Sequence, residues 1–199
     1  MINRELYMEQ ITPFIDKPFV KVITGIRRCG KSVVLRLIRE ELLRRGVSED
    51  YIIYMNFESF EWIDMKEAKA LYAHIREATK APGKYYILLD EIQEVTDWEK
   101  AVNAFLVDLD VDIYVTGSNS RLLSSEFSTY LAGRYVAFHI MTLSFREYLL
   151  FHDLPLTISV SDRKTEFLKY LRMGGFPAIH TANYDYNAIY KIVYDIYSS

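Results

Sequence analysis

Cysteine is almost missing from this 199-residue chain: Cys29 stands alone, so no disulfide can close within it. No uninterrupted apolar run approaches the roughly 18–20 residues of a membrane-spanning helix. The start, Met1-Ile2-Asn3-Arg4-Glu5, lacks the apolar stretch of a secretory signal. These absences together point to the cytoplasm and leave no membrane among the expected partners. The histidines, His74, His139, His152 and His180, are scattered and with one cysteine offer no zinc spacing. There is no internal repeat and no low-complexity tract, and the length suits one substantial domain with a small second one.

What is present is ordinary in bulk, with 50% apolar and 26% charged residues. The net charge of −3 hides an asymmetry. Between Lys17 and Gly46 lie nine Lys/Arg and only two acids, Glu40 and Glu41, so the rest of the chain is strongly acidic. A basic cluster suits a polyanionic ligand. A solvated helix face accounts equally well for Arg36 through Arg45, so the cluster alone does not indicate nucleic acid.

Short β-rich runs alternate with helical periodicity, which predicts a parallel sheet covered on both faces. Strands are expected at Phe19–Thr24, Tyr51–Phe57, Tyr85–Asp90, Asp112–Thr116 and Tyr135–Met141. The near-continuous apolarity of 51–57 and 85–90 reads as central strands buried on both faces. Helices fall between them at Lys31–Arg45, Trp62–Ala78, Trp98–Leu109 and Arg121–Leu131, with Trp62 and Trp98 as packing residues. After Met141 the character changes. Ser144-Phe145-Arg146-Glu147 is a capping box that starts a helix. A second helix, Asp162–Met173, stops at Gly174-Gly175, and a third begins near Asp185. Its Tyr186, Tyr190, Tyr194 and Tyr197 step along one face beside Ile189, Ile192, Val193 and Ile196. Such a stripe is expected either to pack on the helical appendage or to lead into a further domain.

The segment Gly25-Ile26-Arg27-Arg28-Cys29-Gly30-Lys31-Ser32 fits G-x-x-x-x-G-K-[ST] between an apolar strand and a helix opened by Val33. Gly25 and Gly30 let backbone N–H groups turn inward on phosphate oxygens, and the helix adds its positive end. Residues 25–33 are therefore the expected phosphate contacts. Lys31 can reach the β- and γ-phosphates, and the Ser32 hydroxyl can hold Mg²⁺. Cys29 fills an unconstrained position of this motif; a thiol lowered in pKa by the helix end and two arginines is the alternative.

Tyr85-Tyr86-Ile87-Leu88-Leu89-Asp90-Glu91 ends an apolar strand in two acids at the same sheet edge. Asp90 is the expected metal ligand and Glu91 the general base for an attacking water. The next strand runs into Gly117-Ser118-Asn119-Ser120, where Asn119 either senses the γ-phosphate or caps the following helix, with Thr116 and Ser118 behind it. Arg134, or else Arg121, is the candidate cation for the transferring phosphoryl group. Its action in its own subunit or on a neighbour in a homo-oligomer is open.

These motifs recur as an ordered set. Thr24–Ser32, Asn56-Phe57-Glu58, Leu89-Asp-Glu-Ile-Gln93 with Trp98-Glu99, Thr116–Leu123, Leu131-Ala-Gly-Arg134, Leu143–Tyr148 and Gly174-Gly-Phe-Pro177 together resemble a group of prokaryotic AAA-superfamily ATPases. The resemblance implies a three-layer α/β/α P-loop NTPase with five parallel strands in the order 5-1-4-3-2 and ATP with Mg²⁺ as ligands. It also implies a core at 1–141 and a helical lid at 142–199. A C-terminal nuclease-like domain that this chain lacks, able to engage DNA or protein, would account for the tyrosine stripe. Adenine recognition is placed only by position, at Ile11–Phe14.

Three functions share the phosphate loop. An ATPase uses Lys31, Ser32, Asp90 and Glu91. A nucleotide-dependent switch or assembly module binds ATP and hydrolyses slowly, leaving Glu91 without a task. A small-molecule phosphotransferase would leave the Gly-Ser-Asn segment idle. A GTPase is disfavoured by the lack of an Asn-Lys-x-Asp element.

Overall fold

Strands β1 (Val20–Gly25), β2 (Ile52–Asn56), β3 (Tyr85–Asp90), β4 (Val111–Gly117) and β5 (Tyr135–Ile140) form one parallel sheet. Their order is β2-β3-β4-β1-β5, the expected order read from the other edge. The computed structural model describes residues 2–118, 122, 130–182 and 184–198. Helices α1 (Glu5–Ile11), α2 (Lys31–Arg44), α3 (Ala68–Ala78) and α4 (Trp98–Asp108) accompany the sheet. Helices α5 (Phe145–Phe151), α6 (Val160–Met173) and α7 (Tyr186–Ser198) follow it. The chain divides into two compact units: Glu5–Gly25 with Lys31–His139, and Met1–Arg4 with Ile26–Gly30 and Ile140–Ser199.

In the sheet unit, the period of two sorts side chains to opposite faces. Val20, Val22, Ile87, Leu89, Ile113 and Val115 share one core with Leu71 and Ile75 of α3 and Trp98, Val102 and Phe105 of α4. Tyr72 stacks on Phe105 at 5.9 Å, joining the two helices. The alternate residues Ile23, Leu88 and Tyr114 are equally buried and face the other layer, where α2 lies against β1, β3 and β4. Each such aliphatic or aromatic side chain contributes ~1.5–3 kcal/mol.

That burial also takes in charged groups, among them a pair inside the sheet. Lys21 and Asp112 are buried in β1 and β4 and are ion-paired. Tyr114 Oη and the Asp16 N–H also donate to Asp112, at 2.9 and 2.8 Å. Burial holds the Lys21 ammonium below the usual lysine range despite Asp112. Removing either partner of such a pair costs ~3–5 kcal/mol.

Three expectations need correction. The run at 51–57 is not central: β2 is an edge strand, and within it only Met55 is fully buried. The helix expected over Trp62–Ala78 is broken into a 3₁₀ segment, Phe60–Met65, and α3. Its break has a cause. The Ala68 N–H donates to Thr96 O and the Thr96 N–H donates to Lys66 O, drawing residues 66–68 into a short extended bridge. The second appended helix begins at Val160, two residues early, because Ser159 Oγ caps it by accepting from the Asp162 N–H. Other ends move by a residue, and the helix expected over Arg121–Leu131 falls largely outside the described residues.

In the helical unit, the capping box forms as expected: Ser144 Oγ accepts the Glu147 N–H, and Glu147 Oε2 accepts the Ser144 N–H at 2.8 Å. Phe145 and Tyr148 of α5 meet Tyr170 of α6 ring to ring. Ile189 and Ile196 of α7 pack with Phe176 and Ile179, while Tyr186, Tyr190, Tyr194 and Tyr197 are exposed. The tyrosines are thus mainly the outer face, with Tyr197 touching Phe176 edge-on at 5.9 Å, and the isoleucines carry the packing.

Candidate functional site

Parallel pairing brings the carboxyl ends of four strands to one edge. Asn56 of β2 pairs with Asp90 of β3, Leu89 with Val115 of β4, and Thr24 of β1 with Gly117 of β4. The phosphate loop leaves this edge after Gly25 and enters α2 at Lys31. Between them the backbone turns sharply, with Arg28 at φ 62° and the Cys29 N–H donating to Ile26 O at 3.3 Å. Gly30 at φ 108° takes a conformation closed to residues with a Cβ.

Within the sheet unit, the charged groups at this edge are mutually engaged. Lys31 is only 3% exposed, and its Nζ lies 3.4 Å from both Gly25 O and Glu91 Oε1. Glu91 has a left-handed backbone, φ 54° and ψ 49°, which turns its carboxylate off the strand direction. Its other oxygen, Oε2, accepts from Gln93 Nε2 at 2.6 Å. Asp90 is fully buried: Thr116 Oγ1 donates to Oδ1 and Tyr54 Oη donates to Oδ2 at 2.9 Å. Thr116 Oγ1 also accepts the Glu91 N–H at 2.9 Å, so one hydroxyl fixes both acids. Burial, then the adjacent Asp90 charge, pushes the Tyr54 hydroxyl far above the ordinary tyrosine range and keeps it a donor.

Gln93 has an unsatisfied end. Its Oε1 is buried without a hydrogen-bond partner among the described residues. A Cβ at Gly117 would sit 2.1 Å from that oxygen, so only glycine leaves space for the amide.

The sequence-derived candidates fall in different places. Lys31, Asp90 and Glu91 meet at the carboxyl edge, with Thr116 beneath them. Ser32 and Val33 are half-buried in the first turn of α2. Ile26 packs on the Phe176–Ile196 core of the helical unit, Arg27 and Arg28 are exposed, and Cys29 is fully buried. That burial removes the thiol from solvent oxidants and favours the filler reading. Asn119 and Arg121 lie outside the described residues. Ile11 is buried, and Phe14 meets Phe138 edge-on at 5.6 Å.

Arg134 is not brought to the loop. Its carbonyl accepts the N–H of Val20, the first residue of β1, so it sits at the amino edge, a strand length of ~17 Å from Gly25. Arg134 Nη1 donates to Asn103 Oδ1 at 2.9 Å. The basic segment is also largely spoken for: Lys21 pairs with Asp112, Arg39 with Glu49, and Arg44 and Arg45 with Glu41. Tyr54 and Gln93 were given no role by sequence reasoning. Gln93 lies two residues after Glu91, a spacing that could have signalled it; nothing local marks Tyr54.

The donor set fits a hard cation held jointly with phosphate. It offers a hydroxyl at Ser32 and a carboxylate at Asp90, each Asp90 oxygen with a lone pair to spare. No group of three or more His, Cys, Asp or Glu side chains able to hold a metal occurs among the described residues. A Mg²⁺ here would depend on its phosphate and water ligands, as that ion commonly does.

Comparison with known proteins bears on this geometry. A family model described as an AAA domain matches residues 17–149. An uncharacterised protein of Haemophilus influenzae is 43% identical over 186 residues, covering 92% of this chain and 46% of the other. The uncharacterised protein MJ1544 of Methanocaldococcus jannaschii is 35% identical over 184 residues, covering 90% and 39%. The chain thus spans less than half the length of these relatives. Among solved structures, a Thermotoga maritima RuvB variant aligns with TM-score 0.57 at 14% identity, covering 90% of this chain and 59% of that one. AMPPCP-bound DnaA from Aquifex aeolicus aligns with TM-score 0.57 at 15% identity, covering 98% and 62%. Aeropyrum pernix Orc1 in complex with DNA aligns with TM-score 0.53 at 15% identity, covering 98% and 66%. At such identities these neighbours show the fold alone. No described helix is long and apolar enough to cross a membrane.

Proposed function

The chain belongs to the AAA domain family, and on that premise we propose that it binds ATP with Mg²⁺ and hydrolyses it, coupling nucleotide state to a partner. The observation that carries this reading is the Lys31–Glu91 pair at the strand edge. A lysine buried at a loop terminus and paired with the Glu91 carboxylate is poised to exchange that carboxylate for phosphate oxygens. The exchange would release Glu91 to accept a proton from water attacking the γ-phosphate. Residues 25–33 would cradle the phosphates through backbone N–H groups, and Ser32 and Asp90 would hold the metal. The metal, when bound, neutralises charge on the phosphate oxygens. The shared fold with AMPPCP-bound DnaA supports a nucleotide ligand.

Asn119 retains its proposed role as γ-phosphate sensor, and 1–141 and 142–199 their proposed roles as ATPase core and lid. An Arg134 at the amino edge could serve only the nucleotide of another copy, which makes a homo-oligomer part of the proposal. The DNA or protein partner would engage residues that the longer relatives carry beyond this chain, and cytoplasmic action follows from the same reading.

A second reading, a switch with little intrinsic hydrolysis, is favoured by one observation: both oxygens of Glu91 are engaged, by Lys31 and by Gln93. Phosphate release from ATP and Mg²⁺ separates the two. Turnover in the unmodified chain that vanishes in Glu91→Gln with ATP affinity retained supports the hydrolase. Binding without turnover in either supports the switch, and absence of binding refutes both.

A further inference from the structure

We propose that Arg4 is a positioning residue that ties the turn of the phosphate loop to the cap of α5, so that loop occupancy is transmitted to the helical unit. The inference rests on the nucleotide-binding reading above. Arg4 lies outside the segment matched by the family model, and its side chain is only 2% exposed. Its guanidinium serves three separate stretches of the same unit. Nη1 donates to Cys29 O at 3.0 Å, Nη2 to Met141 O at 2.8 Å, and Nε to Glu147 Oε1 at 2.6 Å. Glu147 spends its other oxygen on the N–H and hydroxyl of Ser144, at 2.8 and 3.0 Å. A continuous chain of hydrogen bonds therefore runs from the loop carbonyl through Arg4 and Glu147 to the helix cap.

The bond to Cys29 has a geometric consequence. A trans peptide holds its C=O and N–H on opposite sides. Fixing Cys29 O on Arg4 turns the Gly30 N–H away from Arg4, freeing it as a loop donor. A Cβ on Gly30 would stand 3.2 Å from Arg4 Nη1, so the two pass closely. Ile26 adds a second anchor, since it packs against the Phe176, Ile179, Ile189 and Ile196 core. The loop interior is thus held by the helical unit at both Ile26 and Cys29. Stability alone does not explain a buried guanidinium, because an apolar replacement of similar size often serves as well. A planar fork that satisfies three divergent acceptors explains it better.

The test compares the full 199-residue chain with Arg4→Lys, which keeps the charge but cannot span three acceptors, and with Glu147→Gln, which cuts the same path at its far end. Folding is checked by circular dichroism, ATP affinity by titration with a fluorescent ATP analogue, and amide exchange of residues 145–151 by mass spectrometry. In the unmodified chain, ATP and Mg²⁺ should slow exchange at 145–151. In each folded variant ATP should bind about 5-fold or more weakly, and at saturation the nucleotide-dependent slowing should be lost. An undiminished response in both variants overturns the proposal, as does an unmodified chain that binds ATP with no change at 145–151. An unmodified chain that fails to bind ATP overturns the nucleotide reading itself, a distinct result.

Discussion

Replacing Thr116 by valine keeps the shape of the side chain and removes one hydroxyl, which at this position serves two masters. Thr116 is fully buried; it donates to Asp90 Oδ1 and accepts the Glu91 N–H. Valine leaves a buried carboxylate oxygen and a backbone N–H unpaired, and each such group costs ~1–3 kcal/mol. The Glu91 bond also steadies a left-handed residue, a conformation that costs a non-glycine residue ~1–2 kcal/mol. Asp90 keeps Tyr54, so the loss falls in the lower half of the combined range, about 3 kcal/mol. On a chain of this size that lowers Tm by roughly 6–12 °C. Urea titration of the unmodified chain, Thr116→Val and Thr116→Ser measures it. Serine retains the hydroxyl and loses one methyl, so it should cost only ~1 kcal/mol. Valine within 1 kcal/mol of the unmodified chain, or serine as damaging as valine, would refute the shared-hydroxyl argument.

Lys31→Ala should abolish ATP binding in a fluorescence titration, since it removes the buried ammonium from the loop end; unchanged affinity would dismiss the loop assignment. Arg134→Ala should slow turnover with little change in affinity, and turnover of the unmodified chain should rise with protein concentration. A rate per molecule that is independent of concentration would exclude action on a neighbouring copy. His180 predicts a pH dependence. Burial, with the nearby His152, holds its imidazole below the ordinary value, so the unfolded chain binds its proton more readily. Its contribution is complete above the unfolded pKa of ~6.5 and is lost as pH falls toward the depressed folded value. His180→Gln should flatten the fall in Tm between pH 7 and pH 5, and an unaltered slope would remove His180 as its source.

The features legible in the sequence are those whose physics is local. Ser144 and Glu147 lie three residues apart and bond to each other, so their pattern predicts the cap directly. The run Tyr85–Asp90 is buried at every position, and its apolar bounds coincide with those of β3. The expected helix over Trp62–Ala78 failed because its break is made by Thr96, some thirty positions away, which no periodicity in that window can report. Likewise β2 reads as a central strand because apolarity records what can be buried, whereas its place at the sheet edge is decided by how strands order.

The same division runs through the site. Lys31, Asp90 and Glu91 are legible because phosphate chemistry calls for those residue types at the carboxyl edge of one sheet, after β1 and at the end of β3. The groups that hold them are not, because each reaches its partner across the fold. Tyr54 meets Asp90 from 36 positions away, and Arg4 meets Glu147 from 143. Gln93 is close in sequence, but its meaning depends on Gly117 making room for the amide and on Lys31 taking the other side of Glu91. A motif therefore specifies which groups can react, whereas the restraint on Glu91 is a property of the folded neighbourhood. Because Lys31 shares Glu91 with Gln93, a phosphate that drew Lys31 away would leave Gln93 as the remaining hold on the proposed base.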